Sequence, residues 1–288
     1  MIPNSFDYVA AKSLDEALTL LGKHKDDAKL LAGGHSLIPA MKLRLAQPQV
    51  LIDISRIKEL AYIREEGGQI RIGAMTTHYQ IESSDLLRRV CPLLPEAATH
   101  LGDVQVRNKG TIGGSLAHAD PAADWPAAVL ALDADLVIAG GKGERVIKAD
   151  KFFVGLLTTA LEQAEILREI RFTAPKGRVG QCYKKFRHPA SGFAVVGAAV
   201  SLSLDGSGKC QSAGVGITGV SPKPYRAHAV ENALQGASLD SKSLSSAAAH
   251  ATDGVDANTD LFASGEYRRH LAEVYTRRAL QEAAGRAK

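Results

Sequence analysis

Two glycine doublets carry the first chemical signal in this chain. Ala32-Gly33-Gly34-His35-Ser36 follows a short apolar run and opens a helical stretch, and Thr111-Ile112-Gly113-Gly114-Ser115 comes later, directly after Gly110. Consecutive glycines accept positive φ, which lets successive amide N–H groups converge on an anion. Ser36 and Ser115 would each add a neutral hydroxyl donor. Two such nests meeting in space would grip one diphosphate without a lysine. Taken singly, each doublet is equally an ordinary tight turn, as in Gly140-Gly141, where residues 136–138 and 145–147 read as a β-hairpin. Spacing alone does not bring the two doublets together. A further run, Gly214-Val215-Gly216-Ile217-Thr218-Gly219, matches the GxGxxG pattern literally. That motif needs a helix opening behind it, and Pro222 and Pro224 forbid one. It reads as a strand lying close against a neighbour.

The elements that must position these loops follow from periodicity. Residues 6–9, 29–32 and 50–54 read as strands. Ser13 caps a helix with Glu16 reaching back and Gly22 ending it, and residues 36–45 are helical, giving a βαβ-type unit. Residues 69–75 and 166–172 read as strands, 86–101 as helix broken near Pro92 and Pro95, and 124–132 as helix with Pro126 in its first turn. Strand patterns at 182–186, 194–204 and 213–220 precede helical ones at 226–234, 243–250 and 266–284, an α+β arrangement.

Composition bounds the function. At roughly 150 residues per domain, 288 residues make about two domains. A net charge of +4 with 5% aromatics is no nucleic-acid footprint. The longest apolar run, 193–204, is broken by Gly197 and two serines, short of the ~20 residues a bilayer needs. The opening residues lack the pattern of a signal peptide, so a cytoplasmic location with Cys91, Cys182 and Cys210 reduced is expected. Three scattered cysteines cannot bind an ordinary iron–sulfur cluster, and no metal site is expected.

The two glycine loops, the opening Met1-Ile2-Pro3 with Phe6-Asp7-Tyr8, Asp103-Val104-Gln105-Val106-Arg107-Asn108, and the tail Glu266-Tyr267-Arg268-Arg269 resemble the flavoprotein subunit of molybdenum hydroxylases. That family includes the medium subunits of aerobic carbon monoxide dehydrogenase and quinoline 2-oxidoreductase and the flavin domain of xanthine dehydrogenase. The resemblance runs over essentially the whole chain. It implies an α+β fold: a two-part FAD-binding domain of the vanillyl-alcohol oxidase/p-cresol methylhydroxylase type (1–58 and 59–176), then a C-terminal α+β domain (177–288) with a three-stranded antiparallel sheet and helices.

Carried over residue by residue, the resemblance implies that Ala32, Gly33, Gly34, His35 and Ser36 with Thr111, Ile112, Gly113, Gly114 and Ser115 hold the diphosphate and ribityl. Leu30 and Leu31 would line the adenosine side, and Leu101 would lie near the isoalloxazine. Asp124 would accept hydrogen bonds from FAD, Leu167 and Lys185 would make further flavin contacts, and Phe193 would shield the ring. On the residues alone, Leu101 and Leu167 are equally core positions, Asp124 a helix N-cap, Lys185 a surface charge and Phe193 a core aromatic. The FAD is expected to be non-covalent despite the Gly-Gly-His of His35. The implied role is electron transfer from 2Fe–2S clusters on a small partner subunit, through FAD, to an external acceptor. The molybdenum cofactor would lie on a large partner subunit, in a dimer of heterotrimers. The segment Lys185-Phe186-Arg187-His188-Pro189-Ala190-Ser191-Gly192 differs from the Lys- and Asp-rich form of carbon monoxide dehydrogenases. It favours N-heteroaromatic hydroxylation, with the carbon monoxide dehydrogenase medium subunit as the alternative. A self-contained flavin oxidase or reductase and a non-enzymatic interaction protein are the rival classes. The basic tail (Arg268, Arg269, Arg277, Arg278, Arg286, Lys288) reads as a solvated face or a docking surface.

Overall fold

The structure, a computed structural model, describes residues 1–287; Lys288 lies outside them. The chain begins β1 (Asp7–Ala10), α1 (Leu14–His24), β2 (Ala28–Leu31), α2 (Leu37–Lys42) and β3 (Val50–Asp53). These strands form a parallel sheet in the order β1-β3-β2. Ser13 caps α1 by accepting the Glu16 N–H, while the Glu16 carboxylate takes the Lys12 N–H rather than that of Ser13. The helix also runs through Gly22 and ends at Lys25, whose φ of +48° turns the chain out.

Next come β4 (Ile63–Glu66), β5 (Gln69–Gly73), α3 (His78–Glu82), α4 (Asp85–Val90), α5 (Leu93–Thr99), α6 (Val104–Lys109), α7 (Ile112–His118) and α8 (Asp124–Ala131). They are followed by β6 (Asp135–Gly140), β7 (Gly143–Lys148), α9 (Ala149–Phe152), β8 (Phe153–Gly155), β9 (Thr158–Thr159) and β10 (Ile166–Thr173). Strands β4-β5-β10-β6-β7 make an antiparallel sheet, and Gly140-Gly141 turns the β6–β7 hairpin as expected. Four helices, α3, α6, α7 and α9, escaped the sequence reading. All are short, and the first turn of α7 holds Gly113 and Gly114, poor helix formers that its cap and neighbours override.

The C-terminal part pairs β11 (Arg178–Arg187), β12 (Ala194–Leu204) and β13 (Cys210–Thr218) antiparallel, and a two-residue β14 (Tyr225–Arg226) extends the expected three strands to four. Helices α10 (His228–Leu234), α11 (Ser241–Ala248) and α12 (Gly265–Arg286) follow.

Period-two alternation gives this sheet two working faces. Cys182, Val196, Ala198, Val200, Val215 and Ile217 join Leu271, Ala279 and Leu280 of α12 in one core. Tyr183 and Ala199, one position out of phase, join α8 in another. All eight residues of α8 are buried, so that helix is enclosed between the antiparallel sheet core and the C-terminal sheet. The GxGxxG run explains how α8 comes so close. A methyl on Gly214 would lie 2.0 Å from the Ala131 carbonyl oxygen, and one on Gly216 would lie 2.0 Å from that of Ala127. The expected close-packed strand is what forms.

The basic tail is neither of the surfaces expected of it as a whole. Arg268 is buried, donating to the carbonyls of Val195 and Gly219 and to Asp260, and Arg286 is paired with Glu96.

Replacing Gly216 by Ala forces a methyl into backbone that cannot withdraw. The expected loss is about 1–3 kcal/mol of stability or more, read as a lower denaturation midpoint. Gly206→Ala, which meets nothing within 4 Å, should leave the midpoint unchanged.

Candidate functional site

The two glycine loops meet. A methyl on Gly33 would stand 2.2 Å from the Lys109 carbonyl oxygen and 2.7 Å from Gly110 Cα, and one on Gly114 would reach within 3.5 Å of Ala32 Cβ. The backbones therefore touch where no side chain intervenes. Among the four doublet glycines only Gly34 has positive φ, at +77°. Gly33 and Gly113 are required by space instead, since a methyl on Gly113 would lie 2.4 Å from Ala74 Cβ.

The loops differ in what they offer. Among the described residues, the amides of Gly33, Gly34, His35 and Ser36 have no hydrogen-bond acceptor, and the side chains of His35 and Ser36 are exposed. They are the four donors that the expected nest requires. The second loop differs, because the amides of residues 112–115 are already spent and only the Thr111 N–H has no acceptor among the described residues. Ile112 N–H donates to Thr76 O at 3.0 Å, Gly113 N–H to Ala74 O at 2.8 Å, and Ser115 N–H to Thr111 O at 3.0 Å. Gly114 N–H donates to Thr111 Oγ1 at 3.1 Å, which makes Thr111 the N-cap of α7. This loop supplies a wall, stitched to residues 74–77, and the Ser115 hydroxyl. The donor set of neutral amides with a glycine-cleared approach fits a diphosphate.

Asp124 and Lys185 also come together, from opposite elements. Asp124 is the first residue of α8, but Ala123 holds the N-cap position and makes no side-chain cap, so the N-cap reading fails. The carboxylate accepts from Lys185 Nζ at 2.9 Å and from the Tyr183 hydroxyl at 2.5 Å, with side chains only 3% (Asp124) and 1% (Lys185) exposed. Alternation on β11 sends Tyr183 and Lys185 towards α8, and Lys184 towards Glu282 on α12. Lys185 is therefore no surface charge. It donates also to His100 O at 3.2 Å. Burial pushes the Asp124 carboxyl up and the Lys185 ammonium down, each opposed by the other's charge. Gly197 has to lack a side chain because the Tyr183 hydroxyl would lie 2.4 Å from its methyl.

The remaining expected residues divide. Leu101 is half-buried beside His100, with its carbonyl held by Arg107 at 3.0 Å. Leu30 and Leu31 are half-buried on the edge strand β2, Leu31 beside Gly34. Phe193 is 47% exposed, next to Ala194, whose N–H donates to Ala122 O just ahead of α8, so it is not core. Leu167 is only 4% exposed, within the core at the β10 bulge; packing is the role its position shows. Sequence reasoning missed His78, Trp125, Tyr183 and His100. Only Trp125, beside Asp124, carried any local signal.

Free amides walled by a second glycine-cleared loop, with an α+β unit beside them, fit the class of two-loop FAD-binding flavoproteins. Residues 4–175 match the FAD-binding domain in molybdopterin dehydrogenase, and residues 181–283 match the carbon monoxide dehydrogenase flavoprotein C-terminal domain. The chain belongs to the FAD-binding medium subunits of the molybdenum hydroxylase family, which are oxidoreductase components. It is 42% identical to the carbon monoxide dehydrogenase medium chain of Hydrogenophaga pseudoflava, over 99% of each chain. The solved carbon monoxide dehydrogenase of that organism, in a form lacking the Mo-pyranopterin moiety, superposes with a TM-score of 0.97 at 43% identity, covering 100% of both chains. Quinoline 2-oxidoreductase from Pseudomonas putida 86 superposes at 0.92 with 33% identity, covering 99% of both.

Two tests follow from the geometry. Lys185→Met leaves Asp124 buried without its counter-ion, and should cost about 3–5 kcal/mol in chemical denaturation. Burial lowers His78 and His100 from 6.5 to about 4. Their folded pKa values lie below the unfolded ones, so this contribution is complete above pH 6.5 and lost as pH falls towards about 4. The denaturation midpoint should drop across that window, and more shallowly in a His78→Gln/His100→Gln double variant.

Proposed function

We propose that this chain is the FAD-carrying electron-transfer subunit of a molybdenum hydroxylase complex. It takes electrons from 2Fe–2S clusters on a small partner subunit and gives them to an external acceptor, while a large partner subunit holds the molybdenum cofactor. A dimer of such heterotrimers, a cytoplasmic location, non-covalent FAD and the division into units 1–58, 59–176 and 177–288 belong to the same proposal. Among the described residues no helix is long and apolar enough to cross a membrane.

The observation that carries the reading is the seam between Gly33 and Gly110, with four unsatisfied amides beside it. Ala32 to Ser36 would hold the diphosphate, and Thr111 to Ser115 would wall it. Leu30 and Leu31 would flank the adenosine. Leu101 and Phe193 would border the ring, and Leu167 would support it from the core. When bound, flavin supplies both one- and two-electron chemistry, and the protein supplies position and electrostatics. Asp124 and Lys185 act here chiefly on one another. Their remaining lone pairs and third N–H are what they can offer a flavin.

For the oxidised substrate, identity supports the alternative over the quinoline-type reading favoured by residues 185–192. The carbon monoxide dehydrogenase medium chain stands at 42% and quinoline 2-oxidoreductase at 33%. That loop is a weak guide because the substrate pocket would lie on another polypeptide. We therefore favour a carbon monoxide dehydrogenase-type complex.

Purification from the native source should yield a yellow chain accompanied by molybdenum and iron–sulfur partners, reducing a dye with carbon monoxide. A yellow homo-oligomer without them would overturn the subunit reading. Reduction with an N-heterocycle but not carbon monoxide would restore the quinoline-type one. Gly33→Ala should weaken FAD retention at least about tenfold, the factor that each 1.4 kcal/mol represents, as measured by flavin fluorescence.

A further inference from the structure

The second loop has spent the amides of residues 112–115, yet an unspent side-chain donor stands beside it. His78 opens α3, is 5% exposed, and is tied to the second loop by its own N–H, which donates to Gly110 O at 3.0 Å. The preceding Thr77 pairs with Thr111 and caps α3 in a box with Gln80. The imidazole covers Gly110 so closely that a methyl there would lie 2.5 Å from His78 Nε2. Gly110 is also the residue that Gly33 touches. Nε2 therefore sits at the join of the two loops.

Which nitrogen carries the proton is decided from behind. The Trp125 indole N–H, fully buried on α8, donates to His78 Nδ1 at 3.0 Å. An indole can only donate, so Nδ1 must present its lone pair and the proton must reside on Nε2. Among the described residues Nε2 has no hydrogen-bond partner. Arg107 is paired with Glu82 at 2.7 Å, and the His35 side chain is exposed to solvent.

We propose that Trp125 locks His78 into the tautomer whose Nε2–H is a neutral donor to the diphosphate at the Gly33–Gly110 seam, supplying from the second loop's side a hydrogen bond that the amides of residues 112–115 cannot. This rests on the two-loop reading of the cofactor site. A neutral donor suits that place, because it offers a hydrogen bond to an anion without a buried cation when the site is empty. It also joins the seam to α8, the helix that carries Asp124.

Side-chain geometry makes the test specific. In His78→Asn the amide oxygen can still accept from Trp125, but nothing reaches the Nε2 position; in His78→Gln an amide N–H does. Full-length protein is titrated with FAD and with riboflavin, which has no diphosphate. The sole tryptophan reports the Trp125 environment by its emission. His78→Asn should weaken FAD binding about ten- to a hundredfold, the range for a hydrogen bond to a charged group. Riboflavin binding and tryptophan emission should stay near wild type, and His78→Gln should recover most of the FAD affinity. Wild-type FAD affinity in His78→Asn, with Gly33→Ala losing FAD, overturns this inference and spares the two-loop site. Wild-type affinity in both overturns the two-loop reading and this inference with it. Should His78→Asn not fold, Trp125→Phe serves. The expected result is loss of the fixed Nε2–H tautomer in histidine 15N spectra together with weaker FAD binding, and an unchanged tautomer and affinity would overturn the proposal.

Discussion

Everything at the site depends on two stretches of backbone lying closer than any side chain permits. Gly33 rests on Lys109 and Gly110, Gly113 on Ala74, and Gly110 under the His78 ring. Each contact sets glycine main chain against backbone, a ring or the small side chain of Ala74, and each would be broken by a single methyl. Sterics rather than backbone freedom accounts for most of these glycines. Only Gly34 exploits positive φ, and the unsatisfied amides gather around it. One loop is a donor surface and the other a wall, built from the same residue pattern by different means.

The same device recurs where the C-terminal sheet meets the rest of the molecule. Gly214 and Gly216 let α8 lie on β13, and Gly197 lets Tyr183 cross β12 to reach Asp124. The result is an enclosed helix with an ion pair at its start. A buried pair of this kind costs solvation and is weak evidence for stability. What it secures is register: Asp124 and Lys185 can satisfy one another only if α8 and β11 are docked in this one way. Trp125, the next residue, extends that docking to His78 and so to the glycine seam.

A flavoprotein subunit that relays electrons needs its cofactor held firmly and at a fixed depth more than it needs an acid or a base. The architecture agrees with that duty. Neutral amides stand free at the first glycine loop, His78 and His100 are kept uncharged by burial, and Asp124 and Lys185 are paired with one another. Phe193 and its loop lie at the exposed edge of this assembly.

The residue order by itself determined the α+β class, most strands and long helices, the decoy nature of Gly214 to Gly219, and, through the two doublets and their flanks, the family. These are legible because alternation, capping and proline act locally. It missed the short helices at 78–82, 104–109, 112–118 and 149–152, too brief for a helical period to show, and at 112–118 glycine also opposed helix until long-range stitching overruled it. It also left Lys185 between a flavin contact and a surface charge, and each loop between a nest and an ordinary turn. Only tertiary structure decided that the doublets touch, that the amides of residues 112–115 are already satisfied by residues 74, 76 and 111, and that Asp124, Tyr183, Lys185 and His78 share one interior. Hydrogen-bond saturation and close approach depend on which distant segment lies alongside, and no local pattern in the chain encodes that neighbour.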